Sequence, residues 1–157
     1  MDINFNFQKN IVLTNRKGLK QFIIKIFKIE KVALESMSYV FCSDDFLLQI
    51  NKDYLKHDYY TDIISFDLSL SKSSPAIGEV YISVDTIRDN AKRFHTTIQL
   101  ELHRVIFHGA LHTCGYKDKT KKDQALMTIK EDKYLSLYFK DLKLSIKQAE
   151  IKSSSAF

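Results

Sequence analysis

The sequence predicts an α+β fold: a small four-stranded mixed sheet packed with about five helices, in a single domain over residues 1–150 followed by a polar tail at 151–157. Three observations predict it. Segments in which apolar and polar residues alternate are interleaved with segments whose apolar residues recur every three or four positions, the periods of half-buried strands and amphipathic helices. One helical segment, the one following Thr96, is apolar around most of its circumference and so has to be central to the fold. The chain of 157 residues shows no internal repeat and no second domain, a length suited to one well-buried core.

Taken in order, Ile3, Phe5 and Phe7 alternate with polar residues and mark a half-buried strand. Leu19, Phe22, Ile23, Ile26 and Phe27 then fall on one face of a helix over about 15–31. Ser36 to Cys42, rich in aromatic and β-branched residues, reads as a second strand. Ser43 stands where it caps the next helix, with Asp44 and Asp45 in the electropositive first turn and Leu47, Ile50 and Tyr54 turned inward. After a polar break at Lys56-His57-Asp58, Thr61 to Asp67 reads as a third strand whose β-branched centre predicts deep burial. Ser69 to Gly78 holds the only proline, Pro75, and several serines, the composition of a mobile surface loop.

Glu79 to Ser83 is the fourth strand, and Ser83 starts a helix that carries Val84, Ile87, Ala91 and Phe94 inward. Thr96 with Gln99 three residues on predicts a capping box for the central helix. In that helix Leu102, Val105, Ile106, Phe107 and Ala110 wrap away from a face that carries His108 and His112, and the 100° step adds Glu101 and Arg104 to the same strip. A last helix over about 121–139 carries Leu126, Met127, Tyr134 and Tyr138, and the chain ends in a frayed polar tail, Lys152-Ser153-Ser154-Ser155.

Composition narrows the class of function. Hydrophobic residues at 45% and charged residues at 27% are ordinary for a globular protein. No apolar run approaches the ~20 residues of a membrane helix, and the N-terminus lacks the basic and apolar regions of a signal peptide, so a cytoplasmic protein without a membrane partner is expected. Two cysteines, Cys42 and Cys114, in a chain without a secretion signal read as reduced thiols. The net charge of +5 suits a polyanionic partner, with one modest cluster at Lys117, Lys119, Lys121 and Lys122.

The chemistry concentrates in His108-Gly109-Ala110-Leu111-His112-Thr113-Cys114-Gly115-Tyr116-Lys117-Asp118. Two histidines four positions apart stand one above the other on a helix, so both imidazoles reach one ion from the same side. Gly115 can adopt the left-handed conformation that closes the helix, and the chain turning there can swing Asp118 back toward the pair. Two nitrogen ligands and one oxygen ligand leave the fourth position of a tetrahedral zinc open to water, the arrangement of a catalytic centre at the end of a central helix. The plainer reading is two histidines that cap or pack a helix.

The same string resembles the signature His-Gly-x-Leu-His-Leu-x-Gly-Tyr-Asp-His of the YbeY family of bacterial endoribonucleases, the rRNA maturation factors. Asn51, Tyr54, Asp58, Thr61-Asp62, Ser65-Phe66, Gly78-Glu79 and Asn90-Ala91 are similar to further family segments, in the family's order. The resemblance implies a zinc-binding α+β fold, cleavage of single-stranded RNA, and work on rRNA processing and ribosome quality control, with rRNA, the ribosome or ribosomal proteins as partners. Two positions depart from it. Asp118 stands where the family's third ligand is a histidine; zinc accepts carboxylate oxygen, but the harder donor widens the choice toward manganese or magnesium. Leu55 stands where the family has an arginine thought to engage RNA, so Lys56, His57 or Arg104 has to supply that charge.

The expected reaction is metal-assisted phosphodiester hydrolysis, with one zinc per chain on His108, His112 and Asp118 acidifying its bound water, and with His108 and Arg104 as the catalytic residues, a nearby cation offsetting transition-state charge. Gly109 occupies the glutamate position of the His-Glu-x-x-His zinc proteases, which argues against peptide hydrolysis. Tyr59 and Tyr60 are candidate stacking platforms for unpaired bases, and with Tyr116 they also suit loop packing. Arg104 equally suits pairing with Glu101 or Asp118, Cys114 is an outside candidate ligand, and His57, His95 and His103 read as ordinary histidines, His57 the best reserve. Asp62 and Ser65 suit either support of the site or a strand turn. A non-catalytic ribosome-associated factor with a structural metal, or a hydrolase of another substrate, is the alternative.

Overall fold

The computed structural model of the chain describes residues 1–56 and 61–155, with side chains through 143. Along it run β1 (Asp2–Phe7), α1 (Arg16–Ile29), β2 (Leu34–Cys42), α2 (Asp44–Leu55), β3 (Ile63–Asp67), β4 (Ala76–Ser83), α3 (Val84–Arg93), α4 (Ile98–Thr113) and α5 (Lys121–Ser155). These are the expected strands and helices of an α+β domain. The sheet has the order β1-β2-β4-β3, with β1, β2 and β4 parallel and β3 antiparallel to β4. Connections explain the mixture: α1 carries the chain across between two parallel strands, whereas the serine-rich loop joins β3 to β4 as a hairpin.

Strand alternation gives the sheet two different faces. On one, Met37, Tyr39, Phe41, Val80 and Ile82 meet Leu102, Ile106, Phe107, Ala110 and Leu111 of α4 in the main core, which α1 and α5 close. On the other, Cys42, Ile64, Leu47 and Ile50 form a small second core under α2, with Phe66 and Tyr81 at its margin. α4 is buried around most of its circumference, as expected of the central helix. It packs closely on the sheet at Gly109, where a Cβ would lie 3.0 Å from a methyl of Val80. A side chain there would crowd Val80 and Ile63.

Several expectations need correction. Tyr54 and Phe94 are exposed by 71% and 56% rather than inward. Phe94 is already the C-cap of α3, past the amphipathic stripe. The deep burial expected of the third strand is not found: β3 is an edge strand among the described residues, with Ile64 alone fully buried. A β-branched run signals burial on two faces only when both strand edges are paired. β4 begins at Ala76, inside the stretch read as a loop, because Ala76 N–H already bonds the carbonyl of Ala33.

The cap of α4 is Thr97, whose hydroxyl accepts from Leu100 N–H at 3.0 Å. Thr96 instead donates its hydroxyl to Glu101. α5 runs on to Ser155, so the tail read as frayed is helical there. Residues 121–155 contain no glycine or proline and many strong helix formers, while the apolar period that marks a packed helix fades earlier. His57, Asp58, Tyr59 and Tyr60 lie outside the described residues. Cys42 and Cys114 are free thiols. Among the described residues no helix is long and apolar enough to cross a membrane.

Candidate metal centre

The C-terminus of α4 builds the site. Gly115 adopts φ +108°, Tyr116 N–H reaches back to the Leu111 carbonyl at 3.0 Å, and Gly115 N–H bonds the His112 carbonyl at 2.9 Å. This paired closure requires a residue in the left-handed region, which glycine adopts without strain. It turns the Tyr116 carbonyl onto the histidine below, so that His112 Nδ1–H donates to it at 2.9 Å. One turn earlier, His108 Nδ1–H donates to Glu131 Oε2 of α5 at 2.6 Å. With the proton of each neutral ring committed at Nδ1, each Nε2 keeps its lone pair.

Both Nε2 atoms converge on one carboxylate. Asp118 Oδ2 lies 3.2 Å from His108 Nε2 and 3.1 Å from His112 Nε2, and the three donor atoms lie within 4.8 Å of one another. Among the described residues this is the one group of three or more potential metal donors. The donors fit a divalent cation: two imidazoles with their protons held elsewhere and a carboxylate arriving from the next turn. Borderline nitrogen and hard oxygen suit zinc and also admit other divalent ions.

Electrostatics agree with a cation-seeking site. Burial pushes the pKa of His108 down, but the hydrogen bond and charge of Glu131, with Asp62 and Asp118, outweigh it and hold the ring above its ordinary value. Burial pushes Asp62 above the usual carboxylate range; His108 opposes this, and the charges of Glu131 and Asp118 add to it. A surplus of carboxylates around a pair of imidazoles is what a bound cation would neutralise.

Arg104 does not pair with Glu101 or Asp118. Its guanidinium bonds Glu131 Oε1 at 3.1 Å and Asp132 Oδ1 at 2.9 Å, while the other oxygen of Glu131 serves His108. Asp62 and Ser65 do line the cleft beside the site. That cleft has a volume of about 500 Å³, bounded by His112, Thr113, Asp118 and Lys119 on one side, Thr61 to Asp67 on another, and Asn51 and Leu55 on a third. Leu55 thus stands at the cleft without a charge. Lys56, the left-handed C-cap of α2, is exposed and turns its amine to the Asp53 carbonyl.

The other candidates fall elsewhere. Cys114 is outside the donor group; it borders a separate small cavity with Glu30 and Gly115, and burial, then the charge of Glu30, pushes its thiol up to about 12. His103 is a core residue, 3% exposed and stacked on Tyr138 at 5.0 Å. His95 is exposed in the left-handed turn after α3. Tyr116 packs rather than projecting: its hydroxyl donates to Glu30 at 2.5 Å.

Sequence reasoning missed Glu131 and Glu30. Glu131 carried a signal, for it interrupts the inward stripe of Met127, Tyr134, Leu135 and Tyr138, and a carboxylate at a buried position needs partners. Glu30 carried none, since its partners Tyr116, Lys130 and Tyr134 are some 86 to 104 residues away.

Comparison with known proteins points one way. The family described as "Endoribonuclease YbeY" matches residues 3–138. A protein of that name from Cytophaga hutchinsonii is 49% identical over 125 residues, covering 80% of this chain and 87% of its own length. Another from Christiangramia forsetii is 41% identical over 137 residues, covering 87% and 94%. The solution structure of TM1509 from Thermotoga maritima superposes with a TM-score of 0.59 at 24% identity, covering 92% of this chain and 93% of that one, which speaks for the fold.

Proposed function

The chain belongs to the endoribonuclease YbeY family, and from that premise we propose that it is a single-strand-specific, metal-dependent endoribonuclease of the cytoplasm, acting in rRNA maturation and ribosome quality control. The observation that carries the metal-dependent reading is the convergence of His108 Nε2, His112 Nε2 and Asp118 Oδ2 with both Nδ1 protons held by other acceptors. Those three side chains would hold a zinc ion, or another divalent ion that tolerates the carboxylate. When bound, the ion supplies Lewis acidity toward a phosphoryl oxygen and toward the hydrolytic water.

The chain's own residues set the conditions for that chemistry. Glu131 keeps the His108 proton on Nδ1 and orients the ring. Arg104 holds Glu131 in place, so its influence on the reaction passes through Glu131 and His108. The Tyr116 carbonyl does for His112 what Glu131 does for His108. Lys119, exposed at the cleft, offers a cation to the phosphodiester where Leu55 cannot. The protein partners in this reading are those of the ribosome.

The test is metal analysis joined to cleavage. Purified protein is expected to carry one zinc per chain and to cut single-stranded RNA while sparing duplex RNA and a peptide. Chelation removes turnover. Cleavage that persists in a metal-free preparation defeats the reading, and loss of melting temperature on chelation without any RNA cleavage beforehand favours a structural metal in a ribosome-associated binding factor.

A further inference from the structure

Phe66 belongs to two cavities. On one side it lines the cleft of the metal centre, and on the other it borders a groove of about 370 Å³ on the α2 face of the β3–β4 hairpin. The groove is walled by rings in series: Tyr54 and Phe66 meet edge to face at 6.1 Å, Phe66 and Tyr81 at 5.9 Å, and Tyr81 continues to Phe46 at 6.4 Å. Tyr54 is 71% exposed, Leu68 49% and Phe46 40%. A solvated surface rarely keeps so many large apolar side chains together without a use.

What separates the two cavities is β3, an edge strand among the described residues. Asp62 O accepts from Ser83 N–H and Leu68 N–H bonds Ile77 O, so the backbone groups of alternate residues 62, 64, 66 and 68 are spent on β4. Those of Ser65 and Asp67 therefore point outward over the rim of the cleft. The buried Ser65 hydroxyl has no hydrogen-bond partner among the described residues. A chain crossing this edge from the cleft to the groove meets polar groups at the crest and aromatic faces beyond it.

We propose that this groove is a stacking subsite for unpaired nucleobases of the RNA strand whose phosphodiester lies at His108, His112 and Asp118. The proposal rests on the reading of the site as RNA-cleaving. Single-stranded RNA is the occupant because the groove lies directly across β3 from the metal cleft, sharing Phe66 with it, and its volume of about 370 Å³ suits a nucleotide rather than a protein helix. A base offers its face to an aromatic ring only when it is unstacked from its neighbours, as in a single strand, so the groove itself selects against a duplex. Tyr81 donates its hydroxyl to Glu79, which leaves its ring rather than its oxygen for recognition.

The test is fluorescence anisotropy of the full-length protein, in buffer with chelator to prevent cleavage, with a labelled 12-nucleotide RNA of mixed sequence and the same strand in a duplex. Tyr54→Ala is expected to weaken single-strand binding about five- to tenfold, and Leu68→Ala, which removes only apolar contact, by less; both side chains are exposed. Tyr54→Phe keeps the affinity, duplex binding stays weak throughout, and melting temperatures hold. Unchanged single-strand affinity in both alanine variants, while the wild type still cleaves RNA, overturns the groove and leaves the endoribonuclease standing. A change in sedimentation instead of RNA affinity assigns the surface to a second copy of the chain and also overturns it. A wild type that neither binds nor cuts RNA defeats both readings.

Discussion

The two histidines of the centre are held in different ways. His108 faces α5 and gives its Nδ1 proton to a charged carboxylate, Glu131, which a guanidinium pins from behind. His112 faces the turn and gives its Nδ1 proton to a neutral backbone carbonyl, that of Tyr116, which stays in place because the helix closes through Gly115 and because Glu30 accepts from the Tyr116 hydroxyl. One half of the site is therefore set by electrostatics across a helix pair, the other by backbone geometry. A charged acceptor makes the imidazole a stronger donor to a metal, whereas a carbonyl mainly fixes its orientation. The halves should fail differently when disturbed.

The largest expected effect abolishes the distinction. His112→Ala removes one of three donors, and metal content measured by mass spectrometry and RNA cleavage are expected to disappear together while the fold, monitored by circular dichroism, remains. Next comes Glu131→Gln, which keeps the shape and removes the charge. Metal affinity is expected to fall about 10- to 100-fold by competition with a chelator. A change under twofold would mean that Glu131 is no more to its ring than a carbonyl is, and the contrast between the halves would vanish.

Glu30→Gln strikes the other half and is expected to act on stability more than on metal. The side chain is 7% exposed and accepts from Tyr134 at 2.6 Å and from Tyr116. Loss of these charge-assisted bonds costs about 1–3 kcal/mol, seen as a melting temperature lower by several degrees, with metal affinity within a few-fold of wild type. The pH dependence follows from the same group. Burial pushes its pKa up, but hydrogen bonds from Tyr116, Tyr134 and Lys130 outweigh that and hold it below the ordinary value. A depressed folded-state pKa contributes stability above the unfolded-state value and loses it as the pH falls through the folded one. The wild type should therefore lose melting temperature below the ordinary glutamate range more steeply than Glu30→Gln does.

The smallest effect sharpens the contrast. Gly115→Ala meets no steric neighbour but must hold φ +108°, at about 1–3 kcal/mol, or a few degrees in melting temperature. Because the strain falls on the turn that carries the Tyr116 carbonyl, metal affinity should decline modestly, whereas Arg104→Lys should leave the turn intact and weaken the hold on Glu131 alone.

The membership of the family and the expected α+β architecture were legible in local patterns: the order of motifs, the change of period between strand and helix, and the all-round apolar helix. The donor set was legible too, since the spacing of His108 and His112 puts two rings on one helix face whatever surrounds them, and Gly115 is where that helix has to end. Where inward faces were extended to their last residue, at Tyr54 and Phe94, the pattern overreached, because periodicity says which face is apolar but not how far a neighbour covers it.

The sequence by itself determined the three candidate donors and the glycine, Gly115, that lets α4 end beside Asp118, because each depends on torsions and spacing within about a dozen residues. Tertiary structure alone decided that Glu131 holds His108, that Glu30 steadies the Tyr116 turn, that β3 lies at an edge, and that Tyr54, Phe66 and Tyr81 line one groove beside the cleft. These are meetings of side chains distant in sequence, and what brings them together is the packing of α5 on α4 and of α2 on the hairpin, which no local period records.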